Sequence, residues 1–377
     1  MSNNPAAQTS THAPTANGSA SSAADPPRWA TNTSFDQLAA DLRRAKSVVV
    51  TTHAKPDGDA AGSTLALARS LKHAGIGAEI WYVGPLPRWL PDFCGPTPAR
   101  TFAPGQPMLP ADGRAMSPVD PDLCVIVDTG AWTQLAEMRP WLEPRPDRNI
   151  ILDHHLHGDS AAATRRYIDP ACASCTQVIA PLCVKLCGLS SAATLPLDVA
   201  EPLYLGLATD TGWFRYSSVS PATMRLAADL IEAGVDHTKL YGLIEQQDVA
   251  GRWRLLGRAL NTLELHSVRS TEDTATMSLT MADFDSTGAE RNDTAGFADM
   301  VLTVASVQVA AVLTENPVNV GEPPLTKFSL RSKPGPGAID VNKVCQTLGG
   351  GGHARAAGAK IRLDLAGAKQ ALLEALK

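Results

Sequence analysis

Between residues 34 and 83 the hydrophobic positions change repeatedly from helical to strand-like spacing. The segment FDQLAADLRRA has helical spacing behind Ser34, a residue type that favours helix N-termini, and the β-branched run at 48–52 follows it. A second helix is predicted over 63–72 and a second strand over 78–83. This order predicts βαβ units, in which a helix joins two parallel strands.

Two later hydrophobic runs, LCVIV at 123–127 and NIIL at 149–152, do not alternate between polar and apolar positions. Strands of this kind are buried on both faces, as they are in parallel sheets. The pattern therefore predicts an α/β fold whose first domain has a parallel sheet covered by helices on both faces.

The second half of the chain begins with residues 172–263, which are mostly helical in pattern, and 248–266 is predicted as a long helix joining two bodies. Beyond that helix the pattern predicts a smaller α/β domain with strands near 275–280, 307–314 and 325–331 and helices near 292–302 and 340–347. The predicted organisation is a tail at 1–33, a first domain at 34–245, a connecting segment at 246–268 and a second domain at 269–377.

Composition narrows the class of protein. The first 28 residues contain no Val, Ile, Leu, Phe, Trp or Tyr, which predicts a disordered tail without the pattern of a targeting signal. The most apolar stretch, residues 301–313, is interrupted by Thr, Ser and Gln, so it is predicted to be a buried element and not a membrane span. Seven cysteines, an odd number, argue against a secreted disulfide framework and favour a reducing cytoplasm.

Charge limits the partners. Lys and Arg number 33 and Asp and Glu number 38, which gives a net charge of −5. A protein of this charge lacks the basic surplus that long duplex nucleic acid requires, so a nucleic-acid partner is expected to be short.

Potential metal ligands follow three of the predicted strands. The first strand leads into HAKPDGDAAGS, which contains His53, Asp57 and Asp59, and the strand at 123–127 ends at Asp128. The strand at 149–152 leads directly into Asp153, His154 and His155, and Asp210 follows an apolar helical run. Because the carboxyl ends of strands in an open α/β sheet meet at one crevice, these side chains are expected to lie together.

A cluster of Asp57, Asp59, Asp128 and Asp210 would repel itself in a buried crevice unless cations were bound. Two divalent ions would balance the four charges. Oxygen ligands with two imidazoles suit Mn²⁺ better than a thiolate-type zinc site. A pair of metals can polarise a phosphoryl group and supply a hydroxide nucleophile, which predicts hydrolysis of phosphoesters.

Five segments together resemble the DHH/DHHA1 phosphoesterases. HAKPDGDAAGS, VIVDTG, LDHHLHGD and LATDTG are similar to the four motifs of the DHH domain, in order, and GGGGHARAAG resembles the signature of the DHHA1 domain. The resemblance covers about residues 34–377. Within the family it is strongest to the oligoribonuclease and pAp phosphatase type, the nanoRNases.

The resemblance implies roles for the motif residues. His53, Asp57 and Asp128 would hold one metal, and Asp128 would bridge to a second metal held by Asp59, His154 and Asp210. Asp153 would orient an imidazole, and His155 would contact the scissile phosphate. The chain departs from commoner family forms at Lys55 and at His157-Gly158, which leaves every metal ligand in place but puts substrate preference in question.

The second domain contains a predicted substrate site. On a strand, Lys327, Ser329 and Arg331 would share one face, and Ser332 follows them. Gly350, Gly351 and Gly352 would let backbone amides approach a phosphate, with His353 as a further donor. The resemblance implies that this grip faces the metals across a cleft between the two domains. A flexible turn is the alternative interpretation of the glycine run.

No functional site is predicted at several other residues. Cys172, Cys175, Cys183 and Cys187 lie on a helical stretch and are predicted to be buried side chains, not zinc ligands. Trp213 is predicted to belong to the core more than to stack on a base.

The expected function is hydrolysis of short RNA, about two to five nucleotides, or removal of the 3′-phosphate of pAp, with no membrane partner. A cyclic-dinucleotide or linear dinucleotide phosphodiesterase is the alternative enzyme, and an inactive nucleotide-binding regulatory module is the non-enzyme alternative. The residues leave the oligomeric state open, a homodimer included.

Overall fold

The chain divides into two compact units. The computed structural model describes residues 28–103 and 120–377. The first unit ends at Ile244 and the second spans Glu245–Lys377.

The first unit contains six strands and eight helices in its described residues. In chain order they are α1 (Phe35–Arg44), β1 (Ser47–Thr51), α2 (Gly58–His73), β2 (Gly77–Val83), α3 (Leu90–Cys94), β3 (Ala99–Phe102), β4 (Leu123–Val127), α4 (Arg139–Leu142), β5 (Asn149–Asp153), β6 (Arg165–Ile168), α5 (Cys175–Leu186), α6 (Leu197–Asp210), α7 (Pro221–Glu232) and α8 (His237–Glu245).

The six strands form one parallel sheet in the order β3-β2-β1-β4-β5-β6. Every residue of β4 and β5 is buried, as their unbroken apolar runs predict. Hydrophobic clusters cover both faces of the sheet, so the predicted α/β class is confirmed. The edge strands β3 and β6 were not predicted, because each has only four residues and a mixed burial pattern.

Helix α2 begins at Gly58 and not at Ser63 as predicted. The side chain of Asp57 caps the helix: its Oδ1 accepts hydrogen bonds from the backbone N–H groups of Asp59 and Ala60 at 3.1 and 3.0 Å. The segment that has the composition of a turn therefore forms the first turn of α2, and Asp59 lies on the helix.

Glycines allow α2 and α6 to pack closely. A Cβ at Gly62 would lie 2.4 Å from the backbone oxygen of Pro202, and one at Gly206 would lie 2.7 Å from Oδ1 of Asp59. Only glycine leaves room for backbones at this separation. The close packing brings Asp59 on α2 beside the end of α6, where Asp210 is the last residue.

Residues 28–33 are ordered, contrary to the prediction of a disordered tail over 1–33. Thr31 Oγ1 donates to the backbone oxygen of Ile168 at 2.7 Å and accepts from its N–H at 2.7 Å. Asn32 pairs with Arg166 through a backbone bond of 2.9 Å and a side-chain bond of 2.8 Å. The segment thus covers the edge of β6. The rest of the tail, 1–27, lies outside the described residues.

The second unit contains six strands and five helices. They are α9 (Ala250–Asn261), β7 (Glu264–His266), β8 (Thr274–Leu279), α10 (Met281–Thr287), α11 (Phe297–Val301), β9 (Val309–Asn316), β10 (Leu325–Ser332), α12 (Val341–Thr347), β11 (Gly351–His353), β12 (Ala356–Ile361) and α13 (Leu365–Ala375).

The strands of the second unit form a mixed sheet in the order β11-β12-β10-β9-β8-β7, in which β8 and β9 are parallel and the other pairs antiparallel.

The helix predicted over 248–266 ends at Asn261, and His266 lies on β7 instead. Leu255, Leu256 and Ala259 of α9 pack in the same hydrophobic cluster as Met277 of β8. The helix is therefore part of the second unit's core and not a free connector.

All seven cysteines are free thiols, and each is buried or half-buried. In the residues that the structure describes, no helix is both long enough and apolar enough to span a membrane.

Candidate functional site

The predicted ligands of the first unit converge at the carboxyl ends of its central strands. His53 follows β1, Asp128 follows β4, and His154 follows β5, whose last residue is Asp153. The neighbouring strands β1, β4 and β5 are parallel, so their carboxyl ends meet at one edge of the sheet.

One set of ligand atoms is formed by His53, Asp57 and Asp128. The Nε2 atom of His53 lies 3.5 Å from Oδ2 of Asp128 and 3.9 Å from Oδ1 of Asp57. All three ligand atoms lie within 4.8 Å of one another, which is the spacing that a single ion can span.

The second set is formed by Asp59, His154 and Asp210. The Nε2 atom of His154 lies 3.9 Å from Oδ2 of Asp59 and 3.6 Å from Oδ2 of Asp210. The same atom lies 3.4 Å from Oδ1 of Asp128. Asp128 thus presents Oδ2 to the first set and Oδ1 to the second.

Asp128 is held in an uncommon conformation for this purpose. Its φ is 61°, in the left-handed region that costs energy for residues other than glycine, although aspartate adopts it more readily than most. The residue is buried, and Oδ1 accepts no hydrogen bond from the described residues. A buried carboxylate oxygen without a donor requires a cation or a water, and its position between the two sets fits a metal.

Asp153 acts on His155. Its Oδ1 accepts hydrogen bonds from the backbone N–H groups of His154 and His155 at 2.7 and 3.2 Å, and it lies 2.7 Å from Nδ1 of His155. Asp153 is completely buried, whereas the side chain of His155 is 48% exposed. A buried carboxylate therefore orients an imidazole that remains accessible.

The N-terminus of α5 orients Asp59, which the sequence did not indicate. The backbone N–H of Cys175 donates to Oδ2 of Asp59 at 2.5 Å, and that of Thr176 donates to Oδ1 at 2.9 Å. These amides have no partner within their own helix, and the helix dipole favours an anion there. Ser174 caps α5 through the amide of Gln177, which is the one local signal of this helix start.

The carboxylates and imidazoles of the cluster shift one another's pKa. Burial opposes protonation of His53 and His154, but the neighbouring carboxylates, Asp128 above all, outweigh it and raise the pKa of each imidazole to about 9. Burial, together with nearby Asp128, raises the pKa of Asp59 well above its usual range and that of Asp210 to about 6. For Asp128, burial is outweighed by the imidazoles of His154 and His53, and its pKa is lowered.

The donor set therefore fits divalent cations. Carboxylate oxygens and imidazole nitrogens form every potential metal group found among the described residues, and no thiol belongs to any of them. This composition suits Mn²⁺ and ions like it better than a cysteine-type zinc site.

In the second unit the predicted cationic stripe lies on one face of β10. Phe328 and Leu330 are buried, so Lys327, Ser329 and Arg331 point to the opposite face. Together they line a pocket of about 170 Å³. Arg291 also lines this pocket, although nothing in the sequence singled it out.

Arg291 is held in place by its surroundings. Its guanidinium carbon lies 5.0 Å from the ring centre of Phe284, and its Nη1 donates to the backbone oxygen of Glu315 at 2.5 Å. Because these partners are remote in sequence, no local pattern could have identified the residue.

The glycine run forms an edge strand. Gly351, Gly352 and His353 make β11, which pairs with β12, and a Cβ at Gly350 would lie 2.2 Å from the backbone oxygen of Gly358. The run is thus a close approach of two backbones and not a flexible turn. His353 and Arg331 are both opposite Ala356, so all three side chains lie on the same face of the sheet.

Two details differ from the predicted phosphate grip. The backbone N–H of Gly352 donates to Oδ1 of Asn342 at 2.9 Å, so this amide already has a partner. Ser332 is buried on the other face of β10, and its hydroxyl donates to the backbone oxygen of Ile339 at 2.7 Å. Arg331, Lys327 and His353 are the side chains that the structure leaves on the cationic face.

Trp213 lies beside Tyr241, with ring centres 4.8 Å apart, and packs against the core of the first unit. This position agrees with the prediction that Trp213 belongs to the core.

Comparison with known proteins identifies the family of the chain. Residues 47–207 match the model of the DHH family N-terminal domain, and residues 276–377 match the DHHA1 domain. The bifunctional oligoribonuclease and PAP phosphatase NrnA of Thermus thermophilus is 28% identical over 349 residues, which cover 90% of this chain and 93% of the relative. The protein of the same name from Bacillus subtilis is 22% identical and covers 84% of this chain and 89% of the relative.

Among solved structures, an exopolyphosphatase-related protein of Bacteroides fragilis has the same fold. Its TM-score is 0.74 at 24% identity, with 91% of this chain and 95% of that chain covered.

A parallel α/β unit with two carboxylate–imidazole ligand sets, followed by a mixed-sheet unit with a cationic face, defines a class of metal-dependent phosphoesterases. Within that class, the chain belongs to the DHH family, with a DHHA1 domain as its second unit.

Proposed function

We propose that this protein hydrolyses phosphoesters of short RNA, about two to five nucleotides long, and removes the 3′-phosphate of pAp. The observation that carries the proposal is the meeting of both ligand sets on Asp128, whose buried Oδ1 has no hydrogen-bond donor. Support for the substrate class comes from relatives named oligoribonuclease and PAP phosphatase. Their alignments cover most of this chain and most of each relative.

The residues that would hold two divalent ions are His53, Asp57 and Asp128 for one and Asp59, His154 and Asp210 for the other. Asp128 would also serve the second ion, because its Oδ1 lies 3.4 Å from Nε2 of His154. We propose Mn²⁺ as the ion. Bound at such a site, paired divalent ions polarise a phosphoryl group and supply a hydroxide nucleophile at neutral pH.

The chain's own residues would orient the substrate. Asp153 holds His155 through Nδ1, which leaves Nε2 of this half-exposed ring for an oxygen of the scissile phosphate. The amides of Cys175 and Thr176 hold Asp59, so its carboxylate is positioned before any ion arrives.

Binding of the rest of the nucleotide is assigned to the second unit. Lys327, Arg331 and His353 share a face, with Arg291 lining the same pocket as the first two. Guanidinium groups suit phosphate oxygens because they donate two parallel hydrogen bonds. An arrangement in which this face meets the metals and a cytoplasmic location are further parts of the proposal.

The test is a panel of substrates offered to the purified full-length protein with Mn²⁺. It compares kcat/KM for pAp, RNA dimers to pentamers, a long RNA and cyclic dinucleotides. The matched control is the Asp128→Asn variant purified in the same way, because activity that remains in this variant comes from a contaminating nuclease.

Turnover of pAp and short RNA by the wild type alone would support the proposal. A preference for cyclic dinucleotides would identify the alternative phosphodiesterase. Absence of hydrolysis with every substrate, in protein that binds nucleotides, would identify the inactive regulatory module.

A further inference from the structure

Trp29 touches both loops that carry the central metal ligands. These are the loop after β4, which begins at Asp128, and the loop after β5, which contains His154 and His155. The side chain of Trp29 is half-buried. It packs against one of the two hydrophobic clusters that cover the parallel sheet of the first unit. Its Nε1 donates a hydrogen bond to the backbone oxygen of His155 at 3.0 Å.

The two loops each have a glycine against the indole ring. A Cβ at Gly130 would lie 2.0 Å from Cη2 of Trp29, and a Cβ at Gly158 would lie 2.4 Å from the same atom. Neither glycine has a positive φ, so backbone conformation does not require glycine at either place. The ring of Trp29 is what excludes a side chain, and it lies between the two loops.

The loops also contact each other directly, through His154 and Asp128 at 3.4 Å and through hydrogen bonds of Asp159. The backbone N–H of Asp159 donates to the oxygen of Gly130 at 2.9 Å, and Oδ2 of Asp159 accepts from the N–H of Trp132 at 2.7 Å.

The segment that carries Trp29 is fastened to the sheet. Thr31 and Asn32 form hydrogen bonds along β6, including one from Nδ2 of Asn32 to the backbone oxygen of Thr164 at 2.8 Å. The ring is therefore supported from a strand edge and not from either loop.

We propose that Trp29 is a positioning residue of the metal centre. Its indole sets the separation between the loop of Asp128 and the loop of His154 and His155, and Gly130 and Gly158 are small so that it fits. Gly158, one of the two residues at which the chain departs from commoner family forms, makes room for the ring. The inference deepens the proposed function and rests on it for the identity of the reaction.

The test compares three variants of the full-length protein: Trp29→Ala, Trp29→Phe and the control Trp89→Ala. Trp89 is a half-buried tryptophan of the same unit that packs on Phe93, with ring centres 5.9 Å apart. Mn²⁺ affinity of metal-free protein is measured by calorimetry, unfolding by urea titration, and kcat and KM with pAp.

Trp29→Ala should weaken Mn²⁺ binding about tenfold and lower kcat by a similar factor, since residues that orient ligands have effects of this size. Trp29→Phe should recover to within about threefold, because the ring remains and only the bond to His155 is lost. Trp89→Ala should lose stability with Mn²⁺ affinity and kcat unchanged. If Trp29→Ala bound Mn²⁺ like the wild type, or if Trp89→Ala lost as much affinity, the inference would be wrong.

A second pair of variants keeps the test decisive if Trp29→Ala does not fold. Gly158→Ala should weaken Mn²⁺ binding in the wild type but have little effect in a Trp29→Leu background, because the collision is with the ring. Additive effects would contradict the proposal. If the wild type hydrolysed no substrate, the proposed function would fail, while the Mn²⁺ affinities would still decide the role of Trp29.

Discussion

Asp128 presents one carboxylate oxygen to His53 of the first ligand set and the other to His154 of the second. Its backbone is left-handed, with φ 61°, and asparagine tolerates that conformation almost as well as aspartate. Replacing it by asparagine therefore removes the charge with little change of shape.

We expect Asp128→Asn to abolish hydrolysis and to lower Mn²⁺ affinity at least about a hundredfold at both sites, because each set loses its shared carboxylate. Metal content and calorimetry measure this directly. The matched control is Asp57→Asn, at a side chain that is 63% exposed and belongs to one set only, and it should retain more metal. Equal metal content in the wild type and Asp128→Asn would contradict the bridging role.

A second residue-scale prediction concerns stability and pH. Asp273 is buried in the second unit, where burial opposes its ionisation, but the backbone N–H groups of Val268, Arg269 and Ser270 outweigh it. The pKa of Asp273 is therefore lower than its ordinary value of 3.8. A carboxyl with a lowered pKa stabilises the fold above the unfolded-state value, and the stabilisation is lost as pH falls through the folded-state value.

Asp273→Asn should destabilise the protein by about 1–3 kcal/mol at pH 7, because an amide N–H₂ then faces backbone donors. The difference from the wild type should remain constant down to about pH 4 and shrink below it. Urea titrations at several pH values check this, with the exposed Asp285→Asn as the control. A difference that grew on acidification would show that the sign is wrong.

The convergence of the candidate metal ligands was predictable because the sequence places acidic and imidazole groups at the carboxyl ends of buried strands, which share one edge of the sheet. The residues that position them were not. Trp29 and His155 are separated by 126 positions, so no local pattern connects them. Roles of this kind depend on the tertiary structure alone.

Helix packing sets the geometry of the site at the scale of whole elements. Helices α2 and α6 approach through Gly62 and Gly206, and this approach places Asp59 beside Asp210. Gly206 would therefore be the position where an added methyl group disturbs both packing and metal binding.

We expect Gly206→Ala to destabilise the protein by about 1–3 kcal/mol, as overpacking does, and to weaken Mn²⁺ binding. The new Cβ would lie 2.4 Å from Cγ2 of Thr176 and 2.7 Å from Oδ1 of Asp59. Urea unfolding and calorimetry measure the two effects. Gly257→Ala is the matched control, since a Cβ there meets nothing within 4 Å on an exposed face of α9 and should be neutral or stabilising.

The cationic face of the second sheet gives the next prediction. Arg331→Ala and His353→Ala should each lower kcat/KM for pAp at least about tenfold while leaving Mn²⁺ content unchanged, because these residues belong to a different unit from the ligands. Arg362→Ala, which removes an exposed arginine paired with Glu322 at 2.9 Å, serves as the control and should behave like the wild type. Normal kinetics in both test variants would remove the face from the substrate site.

Helices and strands were predicted best where the hydrophobic pattern is unbroken and the residues are buried. Strands β4 and β5 agree with the prediction to within one residue, whereas β3 and β6 were missed because edge strands are short and half-exposed. The predicted helix over 248–266 failed for a related reason. Its last residues form the edge strand β7, which pairs with β8.

The whole molecule has a net charge of −5, which bears on substrate length. A short substrate can fill one cationic pocket, but each further nucleotide would meet an acidic protein on average and gain little binding. We therefore expect kcat/KM to decline by at least about tenfold from a dinucleotide to an RNA of about 24 nucleotides. The two RNAs are compared at the same concentration of RNA ends and at two salt concentrations. Efficient degradation of the longer RNA would show that a basic channel exists.

The state of the seven thiols has a practical consequence for labelling the protein. Burial raises the pKa of every one of them, that of Cys172 to about 12 and that of Cys345 to about 11. Since the thiolate is the reactive form, maleimide dyes should label the natural cysteines slowly at neutral pH. One new surface cysteine in each unit, Lys72→Cys and Arg362→Cys, should then accept a donor and an acceptor dye in an otherwise unaltered protein. Energy transfer between them would report, during turnover, whether the units close on pAp.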